Sequence, residues 1–100
     1  MTTIAEALAM SELDGEFVVT ATLDNVERRV TPRGNAYGIF GVTDATGAME
    51  GAFCGRTYQH LGHLTWDGVE VDLLCTIKAM KDGPMLNVLG MAPAWAGVPL

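Results

Sequence analysis

The sequence predicts a small all-β domain of five strands with two short helices. Three features of the chain point to it. Five stretches alternate apolar and polar residues with the period of a half-buried strand. Two strong turn signals separate strand pairs, Asp44-Ala45-Thr46-Gly47 and Lys81-Asp82-Gly83-Pro84. Apolar residues make up 49% of 100 residues without a run of eighteen. That suits one compact core, excludes a membrane-spanning helix, and leaves no membrane partner to expect.

At the N-terminus, Thr3-Ile4-Ala5-Glu6 matches a capping box and opens an alanine-rich segment suited to a helix. Ile4, Ala7 and Leu8 share one face of it, and Ser11 to Gly15 end it. It reads as a plug on one end of the domain or as an oligomer contact. Glu16 to Val26 alternates as a long first strand, with Phe17, Val19, Ala21 and Leu23 inward. Asn25 to Gly34 follows as a loop carrying Arg28, Arg29 and Arg33.

Ala36 to Val42 forms the second strand. Gly38, Phe40 and Val42 lie on its buried face, and Tyr37, Ile39, Gly41 and Thr43 on the other. Asp44 to Gly47 has the residue order of a type I turn. Beyond it Met49, Gly51 and Phe53 point inward while Glu50, Ala52 and Cys54 point out. Gly55 to Leu64 fits one or two helical turns, with Tyr58, Leu61 and Leu64 on one face. Trp66-Asp67-Gly68 turns into a fourth strand that buries Val69, Val71, Leu73, Cys75 and Ile77, and Met85 to Met91 is the fifth. The chain thus divides into an N-terminal helix at 1–14, a β domain at 15–92 and an apolar, proline-bearing tail at 93–100.

A strand leading into Asp44-x-x-Gly47, preceded by the basic loop Arg33-Gly34-x-x-Tyr37, resembles strands two and three of the OB-fold. The version it resembles is the anticodon-binding type of class II aminoacyl-tRNA synthetases and the bacterial replicative DNA polymerase alpha subunit. The flanking segments, from about Leu13 to Pro93, follow in the order that fold requires. The resemblance implies a five-stranded Greek-key OB-fold barrel whose bottom is closed by the helix between strands three and four. It also implies a ligand face on strands two and three, flanked by the first and last loops, where OB-folds bind oligonucleotides and oligosaccharides. Family members often carry glycine near Ala21, where the first strand bends.

Formal net charge is −6, unevenly spread. Residues 1–27 hold six acids and no base, and residues 28–100 hold six of each. Five of the six bases, Arg28, Arg29, Arg33, Lys78 and Lys81, fall in or beside the two loops that the resemblance sets around the ligand face. Such a grouping suits a sugar-phosphate backbone, although solvated loops also collect charge. On the face itself Tyr37 is the stacking candidate, with Ile39 and Thr43 beside it. Glu50 points the same way, repelling phosphate unless it accepts a hydrogen bond from a base.

Other chemistries find little support. His60 and His63 stand three apart, and Cys54 and Cys75 are isolated, unlike the tight ligand pairs of zinc sites, so neither metal nor cofactor is expected. Asp44 is explained by its turn, and no nucleophile-elbow or phosphate-loop motif occurs, so no catalytic residue is expected and the chain does not read as an enzyme. Two cysteines are too few for a disulfide framework, and a reducing cytoplasm is the simpler setting.

The expected function is binding of single-stranded nucleic acid, DNA or RNA, as in DNA replication. The expected contacts are Tyr37, Ile39, Thr43, Arg28, Arg29, Arg33, Lys78, Lys81 and Glu50. The alternative is a protein–protein module, an accessory subunit or homo-oligomer, that docks through the acidic N-terminal segment and the tail with Trp95. Charge separates the two, because a general strand-coating protein carries a net basic surface.

Overall fold

The computed structural model describes residues 2–53 and 68–94. Five strands occupy Phe17–Val30 (β1), Ala36–Asp44 (β2), Gly47–Phe53 (β3), Glu70–Met80 (β4) and Gly83–Pro93 (β5). They close into a barrel in the order β1-β2-β3-β5-β4. Neighbours are antiparallel except β3 and β5, whose parallel pairing is the crossover of a Greek key. β1 closes the barrel by serving two partners: Phe17–Thr22 pair with β4 and Thr22–Val30 with β2. The bend therefore falls next to Ala21, which is buried.

Strand parity matches the alternation. Val19, Ala21, Leu23, Phe40, Val42, Met49, Phe53, Val71, Leu73, Cys75 and Ile77 are all buried. Phe40 and Phe53 pack as a tilted pair with ring centroids 5.3 Å apart. Each lies over a glycine of the neighbouring strand, because Phe40 pairs with Gly51 and Phe53 with Gly38. A Cβ on Gly51 would stand 2.8 Å from Phe40 Cε2, closer than carbons approach. Both glycines are there to admit a ring.

The first loop is shorter than the sequence suggests. β1 continues to Val30, and only Thr31 to Asn35 remain outside the ladder. A register slip between Asp24 and Glu27 marks a bulge, with Asn25 in the left-handed region at φ 53°. Asparagine tolerates that conformation better than most residues. The extra residue reverses strand parity. Val19, Ala21 and Leu23 point inward before it, Val26 packs against the core after it, and Glu27 and Arg29 turn outward beside Ile39 and Tyr37. Arg28 and Arg29 are thus strand residues, not loop residues, and only Arg33 of the three sits in the loop. Strict alternation cannot anticipate an inserted residue, so the strand seemed to end there.

The N-terminal helix, Ile4–Leu8 (α1), has the expected capping box between Thr3 and Glu6. Its start is bound to the β2–β3 turn. Ile4 N–H donates to Asp44 Oδ2 at 2.9 Å, Ala5 N–H to Thr46 Oγ1 at 3.0 Å, and Glu6 N–H to Thr3 Oγ1 at 3.2 Å. The first three amides, which a helix cannot satisfy internally, are all paired. Ile4 and Ala7 enter the core. Leu8, expected on the same face, is half-exposed and lies along Gly47 at the barrel's edge. A second capped turn, at Glu12–Asp14, follows. From it Glu12 Oε1 accepts from the Ala79 amide at 2.8 Å.

Asp44 therefore does more than shape its turn. Its Oδ1 accepts from Thr46 N–H at 2.7 Å, Thr46 Oγ1 at 2.6 Å and Gly47 N–H at 3.1 Å. Partial desolvation pushes its pKa up, but these bonds and the one from Ile4 outweigh it, and the carboxyl sits below its usual value. A depressed pKa means stability that is present above about pH 4 and lost as pH falls through the folded-state value. Asp44→Ala should destabilise the domain by about 1–2 kcal/mol at neutral pH, the usual loss for a helix cap. In urea titrations the gap between variant and wild type should close below about pH 4. A gap that persists undiminished in acid would rule out the ionised clamp.

The expected helix at Gly55–Leu64, with Cys54, His60, His63, Trp66, Asp67 and the tail from Trp95 onward, lies outside the described residues.

Candidate nucleic-acid interface

On the outward side of β1, β2 and β3, pairing sets side chains in rows. Arg29 stands beside Tyr37; Glu27, Ile39, Ala52 and Asn87 form the next row; Asp24, Gly41 and Glu50 form the third. A groove of about 990 Å³ crosses the first two rows. Tyr37, Ile39, Ala52 and Asn87 line its floor. Thr31, Gly34 and Asn35 from the first loop stand on one side, and Lys78, Met80 and Met85 from the β4–β5 hairpin on the other.

The first loop is braced internally. Thr31 N–H donates to the Asn35 carbonyl at 2.9 Å, Gly34 N–H to the Thr31 carbonyl at 2.8 Å, and Asn35 N–H to Thr31 Oγ1 at 3.1 Å. Gly34, at φ 86°, takes a backbone angle few other residues adopt, and Arg33 is carried at the tip just before it.

Of the expected contacts, the groove gathers Tyr37, Ile39 and Lys78, and Arg29 flanks Tyr37. Arg33 and Lys81 are exposed in the two turns and form no part of the lining. Thr43 and Glu50 lie on the same face beyond the groove, paired with Ala48 and Gly41. Arg28 is a correction. It pairs with Gly38, whose position faces the core, so Arg28 lies on the side away from Tyr37.

Arg29 contributes less positive charge than expected. Its Nη2 donates to Glu27 Oε2 at 2.9 Å, with both side chains more than half exposed. That hydrogen bond raises the guanidinium pKa first, then the charge of Glu27, with smaller effects from Tyr37 and Glu50. The central face is close to neutral or acidic, and Lys78 is the basic residue lining the groove, with Arg33 and Lys81 exposed in the turns on either side. Asn87, Asn35, Met80 and Met85 are groove residues that the sequence reading missed. Asn87 was accessible to it, since it alternates outward on the strand that a Greek key sets beside β3. Its Nδ2 donates to Thr76 Oγ1 at 3.2 Å.

Among the described residues no group of His, Cys, Asp or Glu is placed to hold a metal ion. Burial pushes the Cys75 thiol up to about 12, which removes it as a nucleophile at neutral pH. No described helix is long and apolar enough to cross a membrane.

No protein-family model matches the chain, and no curated protein matches it in sequence. Solved structures do resemble it. The OB domain of a Thermoplasma acidophilum protein aligns over 99% of this chain and 91% of its own with TM-score 0.70 and 11% identity. The second single-stranded DNA binding protein of Mycobacterium smegmatis aligns over 85% and 93% with TM-score 0.65 and 11% identity. A mitochondrial single-stranded DNA binding protein of S. cerevisiae aligns over 80% and 93% with TM-score 0.64 and 8% identity. At such identities the likeness is one of fold: a closed five-stranded OB barrel with a small N-terminal helix.

Proposed function

We propose that this chain is a binding module for single-stranded nucleic acid, with DNA as its first substrate. The observation that carries the proposal is the groove, which sets an aromatic platform, an apolar floor and a lysine between the two loops that OB-folds use for oligonucleotides. Bases stack on Tyr37 and pass over Ile39 and Ala52, and the backbone follows Lys78 with Arg33 and Lys81 at the rim. Two of the structural neighbours are named as single-stranded DNA binding proteins, which favours DNA. The Asp44-x-x-Gly47 turn adds nothing for the anticodon-binding subtype, because Asp44 is engaged in holding α1. With a net charge of −6 and only three bases at the groove, affinity should be modest and its salt dependence shallow, about 0.7 in log–log slope per phosphate contact.

Lys78→Ala should weaken binding and flatten the slope of log affinity against log salt by about 0.7, the value for one phosphate contact on a single strand. Arg33→Ala and Lys81→Ala should lose less. Fluorescence anisotropy with labelled DNA and RNA strands at several salt concentrations measures all three. A slope unchanged in Lys78→Ala means that the lysine does not meet phosphate.

Docking on a protein partner is a second reading, favoured by Leu13, which is 97% exposed between Glu12 and Asp14 on the acidic N-terminal segment. If no strand binds at protein concentrations near a millimolar, this reading replaces the first.

A further inference from the structure

We infer that Met80 and Met85 form a reversible oxidation site through which peroxide lowers the affinity of the groove for a strand; the inference rests on the nucleic-acid reading above. Both methionines line the groove on the side of the β4–β5 hairpin. Met80 pairs with Gly83 next to the hairpin turn, and Met85 stands directly across the ladder from Lys78. Residues two apart on a strand share a face, and so do residues paired across a ladder. Lys78, Met80 and Met85 therefore form one cluster, with one thioether across from the lysine and one two residues along.

Exposure sets these two sulfurs apart from the methionines of the core. Met80 is 45% exposed and Met85 is partly exposed where it borders the groove, whereas Met49 and Met91 are each 8% exposed inside the barrel. Met10 packs against that core. Susceptibility of methionine follows access, so peroxide reaches Met80 and Met85 ahead of Met49 and Met91. It reaches them with the barrel folded, and the change falls on the groove, not on the core.

The sulfur lone pair attacks one oxygen of hydrogen peroxide, and an S–O bond forms as the O–O bond breaks. The proton on the transferred oxygen passes to the leaving hydroxide, giving sulfoxide and water. Sulfur is oxidised by two electrons and the peroxide is reduced. A dithiol reductase of the methionine sulfoxide class reverses the step, yielding thioether, disulfide and water. Oxidation turns a polarisable apolar wall into a polar one whose oxygen only accepts hydrogen bonds. Bases in the groove then lose the contact of thioether on aromatic ring. On Met85 the new oxygen also lies across from Lys78, accepts from its ammonium, and competes with phosphate for the basic residue that lines the groove.

The test treats the full chain with dilute hydrogen peroxide, locates sulfoxide by peptide mass spectrometry, and titrates a labelled oligothymidylate by fluorescence anisotropy at low salt. Sulfoxide should appear at Met80 and Met85 before Met49 and Met91, with the circular dichroism spectrum unchanged. The oxidised protein should bind roughly 2- to 10-fold more weakly, the scale of one thioether–aromatic contact, and methionine sulfoxide reductase should restore the affinity. The double variant Met80→Leu/Met85→Leu keeps the apolar volume and every other oxidisable group. Whatever its starting affinity, peroxide should leave that affinity where it was. Oxidation of Met49 or Met91 as early as the groove pair overturns the inference and leaves the nucleic-acid reading standing. So does unchanged binding by the oxidised wild type, or an equal peroxide loss in the double variant. Failure of the untreated protein to bind any strand overturns both.

Discussion

Gly38→Ala should destabilise the barrel by about 1–3 kcal/mol, the range for overpacking a tight core. The added methyl would overlap the ring of Phe53, which covers Gly38 across the β2–β3 ladder. The ring has nowhere to go. Phe53 is fully buried and already packs on Phe40 at 5.3 Å, and Phe40 in turn lies over Gly51. For a domain of this size the shift in Tm should be roughly 5–20 °C. Pairing the change with Phe53→Leu, which shortens the side chain over Gly38, should recover part of the loss, so the two substitutions should be coupled rather than additive. Thermal unfolding followed by circular dichroism measures the cycle. Additive losses, or a Gly38→Ala protein as stable as wild type, would show that the glycine is not there to seat the ring. Gly41→Ala is the control, because its Cβ would meet nothing closer than 3.6 Å.

Tyr37→Ala should weaken binding of a short single strand by roughly 1–3 kcal/mol, the usual loss for an aromatic that stacks on one base. Tyr37 is the one aromatic among the described residues lining the groove whose strand position faces outward; Phe53, which also borders it, is committed to the core. Tyr37→Phe separates stacking from hydrogen bonding. If the ring acts by stacking, phenylalanine should retain most of the affinity and keep the salt slope. Equal losses in both variants would instead assign the contact to the hydroxyl. Neither change should alter stability much, since the ring is only partly buried.

The architecture was legible in the chain because its strands obey period two. Five of the inward positions read off β1–β3, Val19, Leu23, Phe40, Val42 and Phe53, are indeed buried, and the Thr3–Glu6 capping box and the Asp44–Gly47 turn stand where they were read. What escaped depends on contacts between distant segments. The bulge at Asn25 is set by pairing with β2, and it moves Arg28 away from the face that carries Tyr37 while turning Glu27 and Arg29 onto it. The Glu27–Arg29 pair then neutralises a charge that a count of bases assigns to phosphate. The hold of Asp44 on Ile4 spans forty positions, and no local pattern announces it. Lys78 and Asn87 share the groove because the barrel order brings β5 beside β3.

The site itself can be mapped by amide chemical-shift changes in a ¹⁵N-labelled sample on titration with a short single-stranded DNA. The account predicts that shifts concentrate at Tyr37, Ile39, Ala52, Lys78 and Asn87. Amides of α1 and of Leu13 should stay still. Shifts confined to the N-terminal segment, or none at protein concentrations near a millimolar, would contradict the groove as a nucleic-acid site.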